Sequence, residues 1–351
     1  MSTTFTIDQE WENFLNENGP SVIENDKNNI IKENPRCGDL YISTTTRIAF
    51  LNTQIDLVSL FWKIPIIEYC IPKEGIIKKQ MKFSSTSKEE LDNIKNFTKN
   101  ETMVDEYIIT QIINPDGRIK YKDVRKVSIG LSKKDIISRR SKKKGAFYNC
   151  FVVILRILWK EQFKEIHIKV FNTGKMEIPG IQDEECLFKA LCDLVIILQK
   201  ITGDNTINYV KSNIETVLIN SNFNCGFYIN RDTLFQLLKY KYKINCSYDP
   251  CSYPGIQCEF YYNQDVVSIQ NGQKKNQGNQ SKISFMIFRT GSVLIVGKCS
   301  EAVLYEIFVF IKNILTTEYP SIYVDFTPIK KSDAKKKIRK KKYIKLTQSN
   351  K

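Results

Sequence analysis

The chain has 351 residues, of which 42% are hydrophobic and 26% charged, and its formal net charge at pH 7 is +15. This length and composition allow one large core or two medium ones. No apolar run approaches the roughly 20 residues of a membrane span, and the acidic first twenty residues lack the pattern of a signal peptide. We therefore expect a folded, soluble, intracellular protein that binds no membrane.

The ten cysteines are scattered in a chain with enough Ile, Leu and Phe to fold without disulfides, which predicts reduced thiols. The densest group is Cys225, Cys246, Cys251 and Cys258. It has no CxxC spacing and no histidine nearby, so the sequence predicts neither a metal site nor a cofactor.

Basic residues concentrate in two runs. The run KKDIISRRSKKKG ends at Gly145, and the tail at 326–351 carries ten Lys or Arg between Lys330 and Lys345 against one Asp. Such runs are typical either of solubilising segments or of phosphate contacts and nuclear import, and both interpretations stay open. Either way, they favour a polyanionic partner.

The predicted elements of repeat one (residues 37–202) follow an N-terminal extension at 1–36. LYISTTTRIAF predicts a strand, and Asp56 is a candidate N-cap of the short helix LVSLFWK. After a charged insertion at about 65–145 come the strand AFYNCFVVILRILW and a tight hairpin containing VFNTGKMEIPG. The segment DEECLFKALCDLVIILQKI has the three- and four-residue apolar spacing of an amphipathic helix.

Repeat two (residues 203–325) presents the same order. ETVLINSNFNC predicts a strand, Asn230 or Asp232 caps the helix TLFQLLKY, and SYPGIQCEFYY predicts a second strand. A flexible loop at about 263–282 precedes the hairpin IFRTGSVLIVG and the long helix SEAVLYEIFVFIKNILTTE. Identical residues of the two hairpins share an offset of 117, which indicates a duplicated unit: Phe171 and Phe288, Thr173 and Thr290, Gly174 and Gly291, Ile178 and Ile295, Gly180 and Gly297.

Alternation along the hairpin strands assigns their faces. Ile166, Ile168 and Val170 share one face, which the long helix must cover, and Phe171 lies on the other face. Phe288 takes the same place in repeat two. Two uncovered phenylalanines at equivalent positions of a basic protein favour a binding function.

The duplicated hairpins, the upstream SYDPCSYPGIQ and the long helices that follow resemble the two direct repeats of the TATA-box-binding protein (TBP) family, in its divergent form from giant DNA viruses. The resemblance covers about residues 40–317 apart from the insertion and the loop. It implies an α+β fold: a saddle-shaped antiparallel sheet with two long helices on its convex side and DNA under its concave side. Proteins of this family bind the minor groove, insert aromatic wedges and bend the duplex.

The resemblance also implies which residues contact DNA. Phe171 and Phe288 become the hairpin wedges, Tyr253 becomes the partner wedge in repeat two, and Phe147 or Tyr148 does so in repeat one. Lys175 and Arg156 fall where the family contacts phosphate. The remaining candidates line the groove or the turns: Lys169, Thr173, Asn220, Asn222, Met286, Thr290, Leu294 and Val296.

Repeat one departs from the family pattern. Lys169 and Glu177 replace apolar groove residues, and we expect them to neutralise each other across the hairpin. The family's asparagine of the opening strand is missing from repeat one, where Leu40 or Tyr41 stands nearby. Repeat two keeps apolar residues, but Ser292 replaces the basic residue that Lys175 supplies. These differences predict that repeat two holds the groove more strongly.

The sequence contains no nucleotide-binding glycine loop or nucleophile elbow, and His167 is its single histidine, so an enzyme with a small-molecule substrate is not expected. The resemblance implies a transcription initiation factor that binds A·T-rich double-stranded DNA and recruits a IIB-type factor and RNA polymerase. It would act in a nucleus or a cytoplasmic viral factory, or be packaged in the virion. The alternative is a TBP-like adaptor that has lost selective DNA binding.

Overall fold

The computed structural model describes residues 36–137, 147–266, 270–274 and 278–325. The basic tail at 326–351, almost all of the N-terminal extension and the second half of the basic run before Gly145 lie outside the described residues. Within the described part, every long predicted element is present as a helix or strand.

Repeat one contains seven strands and four helices among its described residues. Its strands are β1 (Tyr41–Phe50), β2 (Gly75–Ser85), β3 (Val104–Ile113), β4 (Tyr121–Gly130), β5 (Cys150–Trp159), β6 (Gln162–Phe171) and β7 (Lys175–Ile181). Its helices are α1 (Leu57–Lys63), α2 (Lys88–Lys99), α3 (Lys133–Ile137) and α4 (Glu184–Thr202).

Repeat two is shorter but has the same central order. After a 3₁₀ turn (Lys211–Asn213), its strands are β8 (Glu215–Asn224), β9 (Tyr228–Ile229), β10 (Asn245–Ser247), β11 (Ile256–Asn263), β12 (Gln280–Ile287), β13 (Ser292–Gly297) and β14 (Tyr323–Val324). Its helices are α5 (Arg231–Gln236), which continues as a π-turn (Leu237–Lys241), α6 (Glu301–Thr317) and α7 (Tyr319–Ile322).

Twelve of the described strands form one antiparallel sheet in the order β10-β11-β12-β13-β8-β1-β7-β6-β5-β2-β4-β3. The strands β8 and β1 pair at its centre, and each repeat places its other strands outward from there in the same sequence. This is the predicted α+β architecture with two repeats in one sheet. Because β1 and β8 are antiparallel, the two repeats are related by an approximate twofold axis at their seam.

The charged segment expected as an insertion is largely part of the sheet. β2 pairs with β5, which is the place that β10 takes beside β11 in repeat two. β4 and β3 then extend the sheet beyond β2. The extra chain of repeat one therefore begins after β2, and it makes the sheet two strands wider on that side.

Each long helix covers the same face of the sheet, which we call the helix face. Leu187, Leu191, Leu194 and Leu198 of α4 are fully buried in a core with Ile168 and other β-strand residues of repeat one. In repeat two, α6 packs in the same way on β8, β11, β12 and β13. The helix spacing predicted from the sequence is therefore the spacing that builds the two cores.

The predicted caps of the short helices are formed in the structure. The Asp56 carboxylate accepts hydrogen bonds from the backbone N–H groups of Val58 and Ser59. In repeat two the cap is Asn230, whose side chain accepts from Thr233, and Asp232 lies in the first turn. A side-chain acceptor at this position satisfies a backbone donor that the helix itself leaves unpaired.

Each of the two hairpin turns requires glycine at one position, and this requirement yields a stability prediction. Gly174 and Gly291 have φ values of 80° and 81°, and a Cβ on either would lie 2.4 Å from a backbone oxygen, that of Thr53 or Phe227. We expect Gly174→Ala or Gly291→Ala to lower the free energy of unfolding by about 2 kcal/mol or more, measured by urea denaturation.

The matched control for this prediction is Gly180→Ala. Gly180 has a similar φ of 83°, but a Cβ there would meet no atom within 4 Å. Only the conformational cost of the left-handed region remains, which is roughly 1 to 2 kcal/mol. Equal losses at Gly180 and Gly291 would show that the close backbone oxygens are not the cause.

Candidate nucleic-acid interface

The face of the sheet opposite the helices, which we call the open face, carries the predicted binding residues. Ile166, Ile168 and Val170 are buried on the helix face, and Lys169 and Phe171 alternate with them. In repeat two, Phe285 and Ile287 are buried while Met286 alternates with them. The faces assigned from sequence alternation are therefore confirmed.

The seam of the sheet presents small polar and apolar side chains on the open face. Asn220 and Asn222 of β8 lie opposite Val296 and Leu294 of β13, so all four share this face. The Asn220 Oδ1 atom is buried and has no hydrogen-bond partner among the described residues. Buried polar atoms left unsatisfied in this way are uncommon in folded proteins.

The register corrects the expected counterparts of these asparagines in repeat one. Tyr41 pairs with Asn222 across the seam, so neither it nor Leu40 occupies the equivalent position. Glu177 matches Leu294 at the offset of 117, and the residue opposite Glu177 is Ile48. Two residues before Ile48, on the same face of β1, Thr46 matches Asn220. Repeat one thus has an isoleucine and a threonine where repeat two has asparagines.

Several residues of the seam were not singled out by sequence reasoning. Leu218 continues the alternation of Asn220 and is 39% exposed. Thr44 pairs with Asn220 across the seam, and Phe50 pairs with Lys175. A signal for them existed in the period-two alternation of LYISTTTRIAF, but choosing the face needed the register across β1 and β8.

Repeat two brings its two predicted wedges together. The ring centroids of Tyr253 and Phe288 lie 6.0 Å apart, with the planes tilted by 58°. The Tyr253 hydroxyl lies 3.4 Å from the Met286 sulfur. Gly255 faces the Phe288 ring so closely that a Cβ there would lie 3.0 Å from it. The two aromatic rings, the Met286 sulfur and the Gly255 backbone therefore form the outer end of a strip of apolar side chains on the open face of repeat two, which includes Leu294 and Val296.

Repeat one builds the same end from different contacts. Cys150 pairs with Phe171, and continuing the β11–β12 register places Gly255 opposite Phe288, so Cys150 and Gly255 are equivalent. Tyr148 and Tyr253 each lie two residues earlier, so they correspond by position. Judged by contacts instead, the counterpart of Tyr253 is Phe147. Tyr253 contacts Met286, and Lys169 takes the place of Met286 in repeat one. The Lys169 Nζ lies 4.6 Å from the Phe147 ring centroid. Both rings are largely exposed, Phe147 by 64% and Tyr148 by 63%.

The lysines of repeat one lie on these aromatic rings. The Lys82 Nζ lies 3.3 Å from the Tyr148 ring centroid, and the Lys175 Nζ lies 5.7 Å from that of Phe171. The Lys82 ammonium also lowers the pKa of the Tyr148 hydroxyl. Each candidate wedge of repeat one therefore carries a cation that its counterpart in repeat two lacks among the described residues.

The expected ion pair across the first hairpin is present. Lys169 and Glu177 are register partners on β6 and β7, and the Lys169 Nζ donates to the Glu177 Oε1 at 2.6 Å. Both side chains are only partly exposed, by 22% and 28%. The pair neutralises the charges but leaves a polar patch in the middle of the open face of repeat one.

The two turn threonines are close to the wedges but make different contacts. Thr290 lies within the second hairpin turn, and its Oγ1 is 3.4 Å from the Ser292 Oγ. Thr173 takes the equivalent position in the first turn, next to Gly174. Each threonine lies in the same hairpin turn region as the wedge phenylalanine of its own repeat, so its hydroxyl could serve as a donor at the edge of a bound ligand.

Arg156 is unavailable for the phosphate contact expected of it. It points to the open side of β5 but is only 5% exposed, and its guanidinium donates to the backbone oxygens of Tyr69, Ile71 and Lys73. The loop from α1 to β2 therefore wraps around Arg156. Its function in the structure is to satisfy three carbonyl groups of that loop.

The short helix α3 also lies on the open face of repeat one. The Asp135 carboxylate binds the Lys78 Nζ at 2.8 Å, and the Lys133 backbone N–H donates to Glu165 at 2.9 Å. By alternation, Lys78 and Glu165 are open-face residues of β2 and β6. Part of this face in repeat one is thus covered by its own chain.

His167 lies beside this covered region and gives the folded state a pH dependence. Burial, together with the nearby charges of Lys134 and Lys78, lowers the pKa of its imidazole, and Glu165 and Asp135 oppose that shift. The unfolded chain then binds a proton at a pH where the folded protein does not. Stability must therefore decrease as the pH falls through the ordinary histidine range towards the lower folded-state pKa.

This dependence can be isolated because the chain has a single histidine. We expect the free energy of unfolding of the wild type to fall more steeply between about pH 7 and pH 5 than that of His167→Gln, measured by urea denaturation across that range. Carboxylates contribute equally to both proteins. Parallel curves would mean that the folded protein does not suppress protonation of His167.

Within the described ranges, no group of three or more His, Cys, Asp or Glu side chains could hold a metal ion. No helix in the same ranges is both long and apolar enough to cross a membrane.

The chain is 26% identical over 205 residues to the protein named TATA-box-binding protein-like from Acanthamoeba polyphaga mimivirus, and the match covers 54% of each chain. The chain therefore spans about half the length of this curated relative. A solved TBP from Methanococcus jannaschii matches with a TM-score of 0.36 at 12% identity, over 80% of this chain and 99% of the other.

No protein-family model matches the chain. The strand order of the sheet places the two duplicated hairpins symmetrically about the β1–β8 seam. Over the matched 205 residues, the chain is a homologue of the protein named TATA-box-binding protein-like from the mimivirus.

Proposed function

We propose that the protein is a TBP-like transcription initiation factor that binds the minor groove of A·T-rich DNA through its open face and bends the duplex. The observation that carries this proposal is the end of repeat two, where Tyr253 and Phe288 stand side by side next to Met286. Planar rings at the edge of an apolar strip can enter a base step, and the bent duplex then offers more surface to the sheet.

The chemistry of the seam suits an A·T-rich groove. The minor-groove edges of A·T pairs offer only acceptors, whereas G·C pairs add an amino donor. Asn220, Asn222 and Thr46 can donate to those acceptors, and Leu294 and Val296 can pack against the sugars without requiring a partner. The interface thus selects for A·T over G·C but has few groups that could read a longer sequence.

The two ends of the open face make unequal contributions under this proposal. Repeat two offers an uncharged aromatic pair and an apolar strip. Repeat one offers the Lys169–Glu177 ion pair, lysines on its aromatic rings and a region covered by α3. Removing the ion pair from water costs energy that an apolar pair would not cost, so repeat two holds the groove more strongly.

A IIB-type factor and RNA polymerase are the proposed protein partners, and the helix face and the ends of the sheet are the surfaces left for them when DNA covers the open face. We place this activity in the nucleus or in a cytoplasmic viral factory of an infected cell. The protein acts by binding and bending, without a catalytic step.

One observation favours a second candidate, an adaptor that binds proteins and no longer selects DNA. The Lys169–Glu177 pair and the position of α3 both reduce the apolar open area of repeat one. If repeat one cannot lie against the groove, only half of the interface remains for DNA.

The two candidates can be separated by measuring the end-to-end distance of a short labelled duplex by resonance energy transfer across a salt series. Under the proposed function, the full-length protein shortens the A·T-rich duplex but not a G·C-rich one. An adaptor would bind both duplexes alike, leave them unbent and lose that binding when residues 330–351 are deleted, because non-specific contacts of a basic tail are strongly salt-dependent.

A further inference from the structure

The two strands added to repeat one continue its open face with lysines. Phe171 pairs with Cys150 on β5, the β2–β5 register places Lys82 next to Cys150, and Lys82 pairs with Lys126 on β4. One row of side chains therefore runs outward from the Phe171 wedge across β5, β2 and β4. At about 4.8 Å per strand, Lys82 and Lys126 lie roughly 10 and 14 Å from Phe171, which is the length of about three to four base pairs.

More basic residues lie at the same end of the added strands. Lys122 shares the open face of β4 with Lys126, and its charge acts on the Tyr148 hydroxyl as that of Lys82 does. Arg118 and Lys120 lie in the turn between β3 and β4 and are exposed. We call Lys82, Arg118, Lys120 and Lys122 the lysine rim. None of these four forms an ion pair with a described residue.

Repeat two has the opposite charge at the corresponding place. Continuing the β10–β11 register two positions past the end of β10 places Asp249 opposite Gly255. Asp249 therefore stands where repeat one has Lys82. Its carboxylate accepts from the Cys251 backbone N–H and the Ser252 hydroxyl. The outer part of this face also carries Glu259, which is paired with Lys282.

We propose that the lysine rim binds the backbone phosphates of duplex DNA beyond the step at which Phe171 lies, as an extension of the interface that exists on the repeat-one side only. The proposal rests on the proposed function for the position of the central duplex. Lysines on flexible stems suit phosphate contacts that carry no sequence information, and a carboxylate at the other end gives the flanking duplex nothing to bind. DNA on the two sides of the core is then held unequally.

The test compares a short A·T-rich duplex with the same core extended by about six base pairs on each side, using full-length protein and fluorescence anisotropy across a salt series. The variant is Lys82→Gln/Lys120→Gln/Lys122→Gln. Its control is Lys88→Gln/Lys99→Gln/Lys200→Gln, which removes the same charge from exposed sites on α2 and α4. Thermal unfolding checks that both variants are folded.

We expect the extension to tighten binding of the wild type and of the control. For the rim variant, the affinity gained from the extension should be about 10-fold smaller than for the wild type. The magnitude of the slope of log K against log salt should decrease by about 2 to 3, on the extended duplex only. If the rim variant keeps the full gain, the flanking contacts belong to other basic residues and the rim proposal is wrong.

A G·C-rich core run in parallel separates this failure from failure of the proposed function. If the wild type binds A·T-rich and G·C-rich cores equally while the rim variant still loses the gain from the extension, the proposed function fails and the rim remains a DNA contact. If selectivity for A·T persists in the rim variant, the seam supplies the selectivity and the rim supplies only affinity, as proposed.

Discussion

Phe288→Ala is expected to weaken binding to an A·T-rich duplex by about 10- to 100-fold and to abolish the bend. Stacking of an aromatic side chain on a base contributes roughly 1 to 3 kcal/mol, and the truncated side chain can neither stack nor hold a base step open. Anisotropy gives the affinity, and resonance energy transfer between the duplex ends gives the bend.

The effect should be specific to binding because Phe288 is not part of the core of repeat two. That core consists of residues on the helix face, such as Phe285 and Ile287, which are at most 1% exposed. Phe288 instead contacts Tyr253 and the Gly255 backbone on the open face. Its removal leaves a gap at the surface, which solvent can fill, so stability should change little.

The matched comparison is Phe171→Ala, for which a loss of only about 3-fold is expected, since repeat one presents a charged surround to its wedge. Tyr305→Ala provides a second control, because Tyr305 is 59% exposed on α6 and lies on the helix face. Equal losses for Phe171→Ala and Phe288→Ala would contradict the asymmetry between the repeats. A loss for Tyr305→Ala would indicate that the DNA does not lie on the open face.

The helices and hairpins of this fold could be predicted from the sequence because their signals are local. A leucine every three or four residues specifies α4, and strict alternation specifies β6 with its buried Ile168. The Asp56 cap depends only on the two following residues that donate to it. Where the information lies within one turn or one strand, pattern alone is sufficient.

The outer strands and the seam could not be predicted in the same way. Asp123 and Arg125 of β4 are buried and form an ion pair with each other. From the sequence alone, two charged residues at these positions indicate a solvent-exposed segment, because their burial depends on strands that are distant in the chain. Arg156 is satisfied by carbonyl groups 83 to 87 residues away in the chain. The assignment of Thr46 and Ile48 required the pairing of β1 with both β7 and β8, which is information about register rather than propensity.

The Lys169–Glu177 pair gives the second large prediction, in which removing one charge and removing both have opposite effects. Lys169→Met is expected to weaken binding to an A·T-rich duplex by about 10-fold, because it leaves the Glu177 carboxylate unpaired and facing the phosphates. Lys169→Met/Glu177→Leu is expected to tighten binding by about 10-fold over the wild type, because it recreates the Met286 and Leu294 surface of repeat two.

The physical reason is the cost of desolvation. In the free protein the two groups are bonded at 2.6 Å and still partly exposed, so water continues to solvate them. A duplex lying on this face would remove that water without offering new hydrogen bonds, whereas methionine and leucine lose nothing by being covered. The double-mutant cycle isolates this coupling if each variant is measured at the same salt concentration.

A pair on the helix face provides the control for this cycle. Lys95 and Asp92 of α2 lie 4.0 Å apart and are about half exposed, so Lys95→Met/Asp92→Leu makes the same change in charge away from the open face and should leave affinity unchanged. If the double variant at Lys169 and Glu177 binds DNA no more tightly than the wild type, the middle of repeat one does not lie against the groove. The asymmetry would then be complete, with repeat two and the seam as the whole groove interface and repeat one free to serve a protein partner.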